Sequence, residues 1–135
     1  AAQSWVGARG AQRLARRLAP DEVIVVDLYA PDPSGWPTME PGGTLGQGPF
    51  LAQSKGEDSG TRQLAQRLRG SARDGRIPLQ EIKFGSLNDG VPFQKHPIAV
   101  VGIPVHFPGT PAEVVDLGDL DKLSRWLKGY LEGRP

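Results

Sequence analysis

Cysteine is absent from the 135 residues, which excludes disulfides and thiolate metal sites. Histidine is scarce: only His96 and His106 occur. A serine triad needs an imidazole oriented beside its nucleophile, and the chain has no Gly-x-Ser-x-Gly elbow. A zinc site built from Cys and His is excluded as well. No apolar run approaches the ~20 residues that span a bilayer. The opening Ala1 to Gly10 has no apolar h-region of a secretory signal. The expectation is a cytoplasmic chain with no membrane partner. An excess of one charge sign is lacking too. Sixteen Lys and Arg against 15 Asp and Glu leave a formal net charge of +1, so no global field draws the chain to nucleic acid. Its arginine groups, Arg9, Arg13, Arg16 and Arg17, then Arg62, Arg67, Arg69 and Arg73, read as solvated helix faces. No aromatic stacking ladder accompanies them.

Glycine and proline are plentiful, at 18 and 13, and 38% of residues are hydrophobic. The length suits one α/β domain over residues 1–135, with a core of useful size. The chain starts without methionine and enters a helical pattern almost at once. A complete domain usually starts more loosely, so a processed or excised piece of a longer chain is expected.

Periodicity supplies the elements. Gly7 to Leu18 reads as a helix, with Leu14 and Leu18 four apart and arginines outside. Val23 to Tyr29 is a β-branched run without alternation, which predicts a strand covered on both faces. It carries Asp27 near its C-terminal end, the edge where α/β folds bind ligands. Pro31 to Gly48 is a long Pro- and Gly-rich loop, of a kind that is often functional. Phe50 to Gln53 is a short strand. Ser59 to Ala72 is a helix with Ser59 as N-cap and Leu64, Ala65 and Leu68 inward. Leu79 to Phe84 and Ile98 to Ile103 are strands, and Gly85 to Gly90 is a turn. The last helix spans Asp119 to Leu131. Its stripe is Leu120, Leu123, Leu127 and Leu131, with Trp126 and Tyr130 on a flank, and Gly133 ends it. Alternation of strand and helix argues for an α/β sandwich.

Candidates for a carboxylate-rich metal site are Asp27, Asp89, His106 and Glu113. The stretch Gly42 to Pro49 is glycine-rich, but it does not join a strand to a helix N-terminus. Its amides are therefore not aimed at a phosphate.

Read in order, several segments form a pattern. Gln3-Ser4-Trp5-Val6-Gly7-Ala8-Arg9-Gly10 aligns with "Q-E-E-V-G-x-R-G", and Val25-Val26-Asp27 with a strand ending in a metal-binding aspartate. Leu45-Gly46-Gln47-Gly48-Pro49 aligns with "L-G-x-G-P", and Gly85 to Gly90 with a "G-T-D-A-G"-like loop. Val101 to Leu117 aligns with "S-I-P-x-R-Y-x-H-S-P-x-E-x-x-D-L", the most specific of the set. The chain thereby resembles the C-terminal half of the catalytic domain of the dinuclear zinc aminopeptidases, the glutamyl, deblocking and "cellulase-M-like" group. That resemblance implies a three-layer α/β/α sandwich of the zinc-peptidase (phosphorylase/hydrolase-like) type, with a mixed, mostly buried sheet.

The resemblance also implies which residues matter. Ser4 stands at the family's general-base position and Trp5 at a metal-ligand position. Serine is no base for a metal-bound water near neutral pH, and an indole offers zinc no lone pair. Gly109 stands where the family's last histidine ligand precedes Ser-Pro, leaving Asp27 as the retained ligand. His106, three residues earlier, occupies the family's arginine position and reads as a loop or rim residue. Asp89, His106 and Glu113 outline the expected cleft, Glu113 and Asp116 the turn into the last helix. The expectation is a degenerate, non-catalytic relative that acts as a binding or scaffold domain, with no cofactor. The alternative is a zinc-dependent aminopeptidase whose missing residues come from another segment or subunit. A peptide or small ligand and a second copy of the chain are the expected partners, and nucleic acid is not.

Overall fold

The computed structural model describes residues 8–29, 43–53, 58–83, 91–107 and 110–133. In chain order the elements are α1 (Arg9–Ala15), β1 (Val23–Tyr29), β2 (Phe50–Gln53), α2 (Ser59–Asp74) and β3 (Gln80–Lys83). A single 3-10 turn (Val91–Phe93), β4 (Ile98–Pro104) and α3 (Leu117–Leu131) follow. The two β-branched runs, remote in sequence, lie side by side: β1 pairs in parallel with β4, Val23 opposite Ile98 through Tyr29 opposite Pro104. β2 runs antiparallel to β4 and parallel to β3, so the sheet is mixed, in the order β1-β4-β2-β3.

Strand alternation divides the side chains between two faces. Ala99, Val101 and Ile103 of β4 point toward α2 and α3, where they meet Leu64, Leu68, Leu123 and Trp126 in the main core. On the opposite face Val23 and Ile98 meet Ala8, Ala11, Ala15 and Phe93, beneath α1 and the 3-10 turn. Helices thus cover both faces, giving the three layers expected. The Trp126 indole N–H donates to the Leu68 carbonyl at 3.0 Å, a buried bond that fixes α3 on α2.

Several local expectations shift. β1 is not covered on both faces. Among the described residues it lies at the border of the sheet, and Val26 and Leu28 are 57% and 47% exposed. α2 and α3 sit over β4, and Ile24 of β1 packs against the margin of their core. α1 turns Ala11 and Ala15, four apart on one face, toward Val23, Phe93 and Ile98, and leaves Leu14, and Leu18 beyond its end, exposed. The N-cap of α2 is Asp58, not Ser59: its carboxylate accepts the Thr61 N–H at 2.7 Å. α3 turns a different stripe inward. Asp119, Leu123 and Trp126 are buried, whereas Leu120 and Leu131 are exposed.

At the far end of α3, Tyr130 Oη donates to Glu22 Oε1 at 2.6 Å, and Arg67 of α2 pairs with the same carboxylate. Burial pushes the Tyr130 hydroxyl above its ordinary pKa, and its bond to Glu22 adds to the rise. Arg67 opposes it. A raised folded-state pKa contributes stability that is full below the unfolded value, ~10 for tyrosine, and is lost as pH rises through the higher folded value. Urea midpoints are therefore expected to fall more steeply above pH ~10 in the native chain than in Tyr130→Phe. Parallel slopes would remove Tyr130 as the cause.

Candidate functional site

One end of the sheet gathers the segments of interest. Asp27 lies opposite Gly102, Gly102 opposite Phe50, and Phe50 opposite Gln80, so these four form a row across all the strands. The stretch Leu45 to Pro49 enters β2 at this end. Here too β4 runs out toward His106.

The Leu45–Pro49 loop has left-handed turns at Gly46 (φ 81°) and Gly48 (φ 102°). A Cβ on Gly48 would lie 2.2 Å from the Pro78 carbonyl oxygen, so the loop requires glycine there. Its amides converge on one carboxylate. Gly46 N–H donates to Asp119 Oδ2 and Gly48 N–H to Asp119 Oδ1, each at 2.7 Å. Asp119 is fully buried in the first turn of α3, where the helix dipole favours a negative charge. Lys122 Nζ stands 3.6 Å from Asp119 Oδ1 and 3.5 Å from the Gly46 carbonyl. Gln80 holds the loop from the sheet. Its amide nitrogen donates to the Thr44 and Gly48 carbonyls at 3.0 and 2.7 Å, and its oxygen accepts the Thr44 N–H at 2.8 Å.

β4 leads into a small closed loop. His106 and Val114 exchange backbone bonds at 2.9 and 3.1 Å. Within it Thr110 Oγ1 donates to the Phe107 carbonyl at 2.7 Å and accepts the Ala112 N–H at 3.2 Å. His106 and Glu113 are both exposed. Asp116 caps α3 by accepting the Asp119 N–H at 3.0 Å. Asp27 is exposed, and its Oδ1 accepts the N–H of Leu28 at 2.8 Å. His96 packs beside Phe93, ring centroids 6.5 Å apart, at the entrance to β4.

The structure therefore brings Asp27, the Leu45–Pro49 loop and the start of α3 to one end of the sheet. Ser4, Trp5, Asp89 and Gly109 lie outside the described residues. Among the described residues no group of three or more His, Cys, Asp or Glu side chains could hold a metal ion. Sequence reasoning missed Asp119 and Gln80 as the residues that shape the loop. The signal for Asp119 was slight: glycines whose amides need an acceptor, and an acidic residue in the first turn of the last helix.

A family model described as M42 glutamyl aminopeptidase matches residues 2–125. FrvX of Escherichia coli strain K12 is 29% identical over 132 residues, which cover 93% of this chain and 37% of FrvX. The TET1 peptidase of Pyrococcus horikoshii, described as assembling into a tetrahedron or a large octahedral shell, superposes with a TM-score of 0.76 at 25% identity. That match covers 93% of this chain and 37% of the peptidase. Aminopeptidase APDkam598 from Desulfurococcus kamchatkensis gives 0.75 at 25% identity, covering 95% and 38%. The chain spans less than two fifths of the length of each of these three.

Proposed function

The chain belongs to the M42 glutamyl aminopeptidase family, and from that membership we propose that it is a non-catalytic form of the fold, acting as a binding or scaffold domain. The observation that carries this reading is the pair Ser4 and Trp5 at the positions where the family resemblance expects two glutamates. Neither can replace a carboxylate as base or ligand. Gly109 adds a third loss. A dinuclear zinc site needs several anionic or imidazole donors around a shared centre, and this donor set does not fit one. The fold itself superposes on that of the TET1 peptidase, and among the described residues the Leu45–Pro49 loop is held by Asp119 and Gln80 and α3 is capped by Asp116. A fold kept in order while its chemistry is replaced suits binding, with a peptide or small ligand at a cleft that we assign to Asp89, His106 and Glu113. No cofactor is required.

Elemental analysis after dialysis against zinc and then buffer is expected to find far less than one zinc per chain. Leucine and glutamate arylamides should not be hydrolysed. Stoichiometry near the ~2 ions of a two-metal site, with turnover, would overturn the reading.

A second reading rests on the coverage of the relatives, 37% of FrvX and 37% of TET1. Here the chain is one part of a zinc aminopeptidase whose remaining ligands lie in another segment or subunit. Mixing it with the upstream portion of a relative tests this: hydrolysis that appears only in the mixture supports it. Ser4 and Gly109 argue against it, since no upstream segment alters them.

A further inference from the structure

Three described residues other than glycine have a positive φ: Ala8, Arg76 and Phe107, at 52°, 53° and 53°. Two of them have a local reason. Arg76 closes the turn after α2, where the Ile77 N–H donates to the Ala72 carbonyl at 2.8 Å, and a left-handed residue commonly ends a helix in this way. Ala8 carries only a methyl group, buried in the smaller core. Phe107 is the bulky case, and a bulky L residue in the left-handed region is strained. The loop after β4 holds it there. His106 and Val114 exchange backbone bonds, and the Thr110 N–H and hydroxyl both donate to the Phe107 carbonyl, at 3.3 and 2.7 Å. Glycine would serve such a turn without strain. Burial among the described residues does not offset that strain, because the phenyl ring belongs to neither core and Phe107 is 52% exposed. Its ring neighbour is His106, with centroids 6.0 Å apart and planes at 80°. Val114, opposite His106 in the bridge, is 46% exposed. Strain kept where the turn has no need of the side chain points to a use for that side chain.

We propose that Phe107, with the His106 ring and the Val114 side chain beside it, is the contact that selects a large apolar or aromatic side chain of a peptide ligand. The inference rests on the cleft reading above, in which His106 is a lining residue, and it gives that cleft a ligand class. Three features fit such a side chain. The closed loop fixes the attachment of the phenyl ring, so little freedom is lost when a ligand meets it. The tilted pair of rings offers a further aromatic ring the offset or edge-to-face contacts that such rings favour. Directly opposed residues hold their side chains side by side, so Val114 continues the apolar surface past His106. A polar side chain would lose hydration against Phe107 and Val114 and gain no hydrogen bond from either. Phe107 is therefore a specificity-determining residue. It acts through its ring, while its own backbone would be more stable without one.

The test separates the ring from the backbone. Phe107→Gly removes both the ring and the strain, Phe107→Ala removes the ring alone, and Phe107→Tyr keeps the ring. Thermal denaturation is expected to place Phe107→Gly ~3 °C above the native chain, because it releases a strained position. Phe107→Ala should melt below Phe107→Gly. Two tripeptides serve as probes, alanyl-phenylalanyl-alanine and alanyl-seryl-alanine, each titrated against the chain by NMR. The native chain should bind the first at least about tenfold more tightly than the second. Phe107→Gly and Phe107→Ala should lose that preference, and Phe107→Tyr should keep it. A Phe107→Gly chain that melts below the native one overturns the proposal, because the ring would then be packed within the protein. A more stable Phe107→Gly that keeps the preference also overturns it, and leaves the cleft reading standing. Equal binding of the two tripeptides by the native chain does the same. A native chain that binds neither tripeptide overturns the proposal and the peptide cleft together.

Discussion

Replacing Asp119 with alanine is expected to cost about 3–5 kcal/mol of folding stability, the range for removing one partner of a buried charged cluster. The carboxylate is fully buried and accepts the Gly46 and Gly48 amides at 2.7 Å each. Alanine would strand the buried Gly48 N–H away from water, release the exposed Gly46 N–H from its acceptor and leave Lys122 without its counter-charge. For a domain of this length the melting temperature should fall by ~10 °C or more. Asp119→Asn has one carbonyl oxygen for two donors, so its loss should be smaller, about 1–2 kcal/mol. Asp121→Ala is the control. Its pair with Arg125, at 3.0 Å, is exposed on both sides, so its change should stay under ~1 kcal/mol. Chemical denaturation of the three variants measures the differences. Amide exchange at Gly46 and Gly48 should rise in Asp119→Ala beyond what global unfolding accounts for. A variant as stable as Asp121→Ala would mean that the loop is not held by this carboxylate.

The Asp119 clamp also shows where sequence reasoning stops. The strands, α2 and α3 were legible within a few residues, because each rests on local information: β-branched runs for β1 and β4, leucine spacing for the helices, Gly133 at the end of α3. What periodicity misjudged was which side of a helix faces inward. In α3 the leucine stripe placed Leu123 and Leu127 inward correctly, but it also pointed to Leu120 and Leu131, which are exposed, and it left out Trp126 and the charged Asp119, which are buried. A charged residue counts as outward in any hydropathy pattern. Asp119 is inward because its acceptors are matched by amides 71 and 73 residues away in sequence. In α1 a small residue, Ala11, makes the contact, and the larger Leu14 does not, since Ala11 and Ala15 are on the face that meets Phe93, Val23 and Ile98.

The candidate site was legible to a different degree. The resemblance singled out Asp27, the Leu45–Pro49 loop and the turn before α3, and the structure brings them to the same end of the sheet. Their adjacency depends on β4 pairing with both β1 and β2, a non-local relation that spacing along the chain does not encode. The border position of β1 among the described strands likewise depends on the strand order, in which β4 lies between β1 and β2. A run such as Val23 to Val26 reads the same at the centre of a sheet as at its border.

The pairing of β1 with β4 carries the second large expected effect. Gly102 faces Asp27 across the ladder, and a Cβ built on it would lie 1.7 Å from the Asp27 carbonyl oxygen and 2.9 Å from Phe50 Cζ. Neither neighbour has room to yield. The carbonyl belongs to a strand paired over its whole length, and Phe50 is fully buried. Gly102→Ala must therefore push β1 away from β4 and forfeit ladder bonds in addition to the overpacking cost. The expected loss exceeds ~3 kcal/mol, the upper end of ordinary overpacking. Gly70→Ala is the opposite case. It lies inside α2 with no neighbour within 4 Å of the added methyl, so it should gain up to ~1 kcal/mol from helix propensity alone. The two sites share no partner, so in the double variant the effects should add within about 0.5 kcal/mol. Urea denaturation of all three variants would measure this. If Gly102→Ala proved as stable as the native chain, β1 and β4 could not lie in the register that sets Asp27 against Gly102, and the row that aligns Asp27 with Phe50 and Gln80 would have to be redrawn.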